Sequence, residues 1–87
     1  MMLIINIAQE INSSLELNSY ATDFIDKINQ INESDFIIDF KDVTFVSRTF
    51  AQAYYASKKR SPKNITEINL SSEVKQLMAM IEKQIMF

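Results

Sequence analysis

The sequence predicts a small α/β domain of order β-α-β-α-β-α, with a mostly parallel sheet and helices packed on it. Three short apolar runs, residues 2–7, 36–40 and 65–70, have the length of strands rather than helices. The longer segments that follow each of them repeat apolar residues at three- and four-residue spacing. Strands that alternate with helices need crossover connections, which join parallel neighbours in a right-handed sense.

Residues 2–7 are nearly continuous in Leu and Ile, which suits a strand covered on both faces. Residues 8–17 have no clear period and read as a loop, or as a loop with a short strand near 14–17. Asn18 and Ser19 are N-cap residues by type. After them Tyr20, Ala21, Phe24, Ile25, Ile28 and Ile31 mark one face of a helix of about four turns. Residues 36–40 form the second strand, Lys41-Asp42 a turn, and residues 43–46 alternate weakly. Thr49 with Gln52 three residues on fits a capping box. The helix it opens carries Phe50, Ala53, Tyr54 and Ser57 on one face and ends near Lys59, before Ser61-Pro62 breaks the chain. The third strand follows at 65–70. Ser71 or Ser72 then caps a last helix with Val74, Leu77, Met78, Ile81 and Ile85 on its stripe. The core expected from this pattern is Phe24, Ile28, Ile38, Phe50, Leu77 and Ile81.

Composition restricts function. A chain of 87 residues makes one domain, 1–87, and its 47% hydrophobic and 23% charged content belongs to a folded chain. It has no cysteine, so disulfides, thiolate metal sites and thiol catalysis are excluded. It has no histidine, the commonest general base and metal ligand, and no glycine for a phosphate-binding loop. No carboxylate spacing suggests a catalytic or metal-binding pair. The expectation is a protein that is not an enzyme, with no cofactor and no metal. Net charge is −2 with both signs interspersed, which argues against nucleic acid as a partner. No apolar run reaches the ~18 residues of a membrane span. The N-terminal run lacks the basic flank and cleavage site of a signal peptide, so the expected location is cytoplasmic.

One segment has a recognisable pattern. Asp39-Phe40, Val43, Phe45-Val46 and then Ser47-Arg48-Thr49-Phe50-Ala51 match, in register, the STAS-like domain family of unknown function. This chain resembles that bacterial branch, which is related to anti-sigma factor antagonists. Residues 72–77 also look like the family's last helix. The resemblance implies a STAS-like fold and a regulatory, protein-binding role, with a histidine-kinase-like ATPase or another regulator as the partner. In the anti-sigma antagonists the matching loop reads Asp-Ser-Ser/Thr-Gly, and its first Ser is phosphorylated. Here those four positions hold Ser47, Arg48, Thr49 and Phe50. Arginine is no acceptor, so two expectations follow. Either the turn docks an acidic surface constitutively with Arg48 as anchor, or Ser47 or Thr49 takes the phosphate. The first is preferred, because a capping Thr49 has its hydroxyl committed.

The partner-binding residues expected from the turn and its helix are Ser47, Arg48, Thr49 and Tyr55. Ligand sites gather where strands end and helices begin, and helix N-termini attract anions. Asp39 either pairs with Arg48 or ends its strand in water. Tyr54 and Tyr55 point about 100° apart, so one packs on the sheet and Tyr55 is the exposed member. Lys58, Lys59, Arg60 and Lys63 form a basic cluster, read as a complement to the helix dipole ahead of a phosphate site. Met80, Met86 and Phe87 form an apolar C-terminal tail. This suggests the alternative role, a structural subunit that homodimerises or joins a larger complex through its last helix.

Overall fold

The computed structural model describes residues 1–86. In chain order its elements are β1 (Met2–Asn6), α1 (Ile7–Glu10), β2 (Ser14–Leu15), α2 (Asn18–Gln30), β3 (Asp35–Asp39), β4 (Phe45–Val46), α3 (Arg48–Arg60), β5 (Asn64–Ile68) and α4 (Ser72–Ile85). The α/β class and the mostly parallel pairing are as the sequence predicts. The three long strands share one sheet of order β1-β3-β5, and both ladders are parallel. A second, two-strand ladder joins β2 to β4, also parallel.

The strand order runs in one direction, so right-handed crossovers put α2 and α3 on the same face of the sheet. Burial agrees. Phe36, Ile38 and Ile65 point into the core, while Ile4 and Thr66, which flank Ile37 on the other face, are exposed. The sheet is thus open on one side. This corrects the expectation that residues 2–7 are covered on both faces: β1 is an edge strand with Met2, Leu3 and Ile4 all exposed. Ile7 has left the strand and is buried as the first residue of α1, where Asn6 Oδ1 accepts from Gln9 N.

α3 packs between α2 and α4 and is the centre of the core. Phe50, Ala51, Tyr54 and Tyr55 are all buried. Tyr54 stacks on Phe50 at 6.0 Å and meets Phe40 and Tyr55 edge-on at 6.2 and 5.2 Å, geometries that suit the ring quadrupole. Of the six core residues expected, Leu77 alone is only half-buried.

Capping differs from the pattern reading at two helices. α2 begins at Asn18 behind Leu17, with no side-chain cap. The chain stays extended through Glu16 because Ser47 N donates to Leu15 O at 2.9 Å and Ser47 Oγ to Glu16 O at 2.6 Å. α3 is capped by Ser47, not by Thr49. The β2–β4 ladder delivers the chain to Ser47 in an extended conformation, so the helix starts two residues before the capping-box pattern places it. At α4 the cap is Ser71, one of the two serines expected, and its Oγ accepts from Val74 N.

Candidate functional site

The turn from β4 into α3 lies at the C-terminal edge of the sheet, beside the start of α2. Ser47 is held from three sides. Its N–H and hydroxyl donate to Leu15 O and Glu16 O, and its Oγ accepts from Phe50 N at 3.0 Å. Arg48 and Thr49 follow as the first two helical residues, both exposed. Arg48 makes no salt bridge among the described residues. The β2–β4 ladder, Ser14↔Phe45 and Leu15↔Val46, ends just before both helices, so Leu17 is the cap residue of α2 and Arg48 the first residue of α3. Two apolar residues of the segments that lead into α2 and α3 are also in solvent: Leu17 is 54% exposed and Phe45 50% exposed. Phe45 also walls a groove of about 180 Å³ with Thr44, Val46, Glu73, Val74 and Leu77 of α4.

Three of the four expected site residues, Ser47, Arg48 and Thr49, therefore meet on one surface. Tyr55 does not. It is 3% exposed, and its phenol is pushed above its ordinary pKa by burial first and then by Glu67 and Glu82. The 100° separation from Tyr54 does not expose it, because α2 and α4 cover both flanks of α3. Asp39 does not reach Arg48. Its Oδ1 accepts from Asn69 Nδ2 at 3.0 Å and from Lys41 N at 2.9 Å, and these bonds hold its carboxyl below the ordinary value.

The hydroxyl roles are the reverse of those the sequence pattern assigns. Ser47 is the cap and its oxygen is bonded on both sides. Thr49 has no side-chain hydrogen bond among the described residues and faces solvent.

Most of the basic cluster is structural. Lys58 pairs with Glu67 at 2.9 Å, both side chains nearly buried, and Tyr54 Oη donates to the same carboxylate at 2.7 Å. Lys59 donates to Ile85 O, and Lys63 to Ile31 O and Glu33 O. On α4, Met80 is exposed among Gln76, Lys83 and Gln84, and Met86 is half-buried against the core; Phe87 lies outside the described residues. No cluster of three or more carboxylates that could hold a metal ion occurs among the described residues, and no helix among them is long and apolar enough to cross a membrane.

Sequence reading missed Leu17 and Phe45. Alternation outward from buried Val46 points Phe45 to solvent, but a two-residue strand gives too short a pattern to read. Comparison of the chain with protein-family models, curated proteins and solved structures finds no match.

Proposed function

We propose that this chain is a non-catalytic protein-binding module that docks a regulatory partner through the surface around Arg48, Thr49, Phe45 and Leu17. Arg48 carries the reading. It is a permanent cation at a helix mouth, it has no ion-pair partner among the described residues, and exposed apolar residues, Phe45 and Leu17, belong to the two laddered segments that lead into α3 and α2. Arginine and aromatic residues are enriched where interfaces bind most strongly. The partner this surface fits presents an acidic group within an apolar rim. The resemblance of residues 39–51 to the STAS-like family supplies a partner class, a histidine-kinase-like ATPase.

On this reading docking is constitutive, because the position phosphorylated in anti-sigma antagonists is Arg48. If a kinase acts on the turn, Thr49 is the acceptor. Its hydroxyl is accessible, and a phosphate at the second residue of a helix meets favourable backbone N–H groups. The test is capture of the partner from the native host by wild type and by Arg48→Glu. The variant should lose the partner and keep its melting temperature. Equal capture by both proteins rejects the surface. Intact-mass measurement after incubation with a cognate ATPase and ATP separates the two modes. A phosphate that disappears in Thr49→Ala overturns constitutive docking.

A further inference from the structure

Large apolar side chains left in solvent concentrate at one place. Among the described residues, Met1, Met2, Leu3, Ile4 and Ile31 lie along β1 and the adjoining end of α2; only Leu17, Phe45 and Met80 lie elsewhere. β1 is the sheet edge, with no strand on its outer side among the described residues. Ile4 is 64% and Met2 56% exposed on the open face. Leu3, on the helical face, is exposed as well, so the helical layer stops short of this edge. Ile31 adjoins a shallow groove that it shares with Ile5, Phe24 and Ile28 and whose rim carries Glu10 and Lys27.

Charge distinguishes this strand from the others. β3 begins and ends on aspartate, and β5 contains Glu67. β1 reads Met-Leu-Ile-Ile-Asn. It has no charge and no proline, the residues that keep sheet edges from pairing.

We propose that β1 pairs antiparallel with β1 of a second copy of this chain, about a two-fold axis at Ile4, so that two three-stranded sheets become one of six. Strand composition selects a second copy as the occupant. In that register Ile4 faces Ile4, Leu3 faces Ile5 and Met2 faces Asn6, so no like charges are opposed. Area sets its strength. A standard interface takes roughly 800 Å² per partner, and five exposed apolar residues along one edge supply part of that, so the contact is a small one at the weak end of specific interfaces. None of the paired residues belongs to the turn that carries Arg48, so the inference stands apart from the docking function.

The chain has no cysteine, which permits a direct test. Antiparallel neighbours have Cα atoms about 4.5–5.5 Å apart, within the span of a disulfide. Ile4→Cys should therefore oxidise rapidly to a covalent dimer, and Thr66→Cys, exposed on the opposite edge strand, should not. Sedimentation at roughly 100 µM, above the micromolar dissociation constants of small interfaces, should give twice the 10.1 kDa chain mass for wild type, Met80→Lys and Arg48→Glu. Ile4→Lys should be a monomer with unchanged circular dichroism. A monomeric wild type overturns the proposal, as does Ile4→Cys cross-linking no faster than Thr66→Cys. Loss of the dimer in Met80→Lys but not in Ile4→Lys moves the interface to α4 and overturns it equally.

Discussion

Helix α3 carries one cation at its N-terminal end and three at the other, and Arg48 and Lys58 are treated in opposite ways. Arg48, at the N-terminal end, has no ion pair among the described residues and stands in water. Lys58, at the other end, lies over the Tyr55 ring and pairs with a nearly buried Glu67 that Tyr54 also holds. A cation suits the C-terminus of a helix and is unfavourable at its N-terminus. Lys58 therefore serves the fold, and Arg48 sits where the fold has no use for it. Mutations along the helix should separate stability from binding in the same order.

The largest effect belongs to the middle of the helix. Phe50→Ala should cost about 3–5 kcal/mol, against a total stability of about 4–13 kcal/mol for a chain this size, read by chemical denaturation. Glu67→Ala comes next, at about 3 kcal/mol, because it leaves Lys58 and the Tyr54 hydroxyl unpaired in the interior. Alkaline pH probes the same end. Burial, ahead of the Glu67 charge, raises the Tyr54 and Tyr55 pKa values, so the folded chain resists losing protons that the unfolded chain releases near pH 10. Stability is then full below about pH 10 and falls as pH rises beyond it, which alkaline titration of the unfolding midpoint checks. Ser47→Ala should cost about 1 kcal/mol, the usual value of a cap. Arg48→Glu should change stability by less than about 0.5 kcal/mol, with any gain coming from the helix dipole, while partner capture is lost. A large loss of stability in Arg48→Glu would erase the contrast between the two ends.

How much of this was legible depends on the length of pattern each feature has. The strands at 2–6, 35–39 and 64–68 and helices α2, α3 and α4 carry enough residues for periodicity to declare them. Chain order then dictated a parallel sheet. The helix starts at Leu17 and Ser47 were misplaced for one shared reason. Both are set by the β2–β4 ladder, a long-range contact of two residues per strand that leaves almost no local trace. Tyr55 was misplaced because an angular argument on one helix cannot see a second helix packed on its flank. The exposure of β1 was missed because a continuous apolar run reads alike at a sheet centre and at a bare edge. In the turn itself, residue types were enough to place Arg48 and Thr49 in solvent at the start of a helix, whereas hydroxyl roles needed the bonds to Glu16 and Phe50.

The aspartates that bracket β3 matter before the fold is complete. Both ladders of the central strand join residues roughly 30 positions apart, so no local hairpin can shield it. During synthesis from the N-terminus, Phe36-Ile37-Ile38 can find β1 as soon as it emerges, but its other side waits for β5. A short apolar strand with an unsatisfied edge is the kind of segment that seeds intermolecular aggregates. Asp35 and Asp39 place a negative charge at each end of that segment, and flanking charges of this kind act as gatekeepers against self-association. The nascent chain thus carries its own protection for as long as the ribosome keeps β5 out of reach.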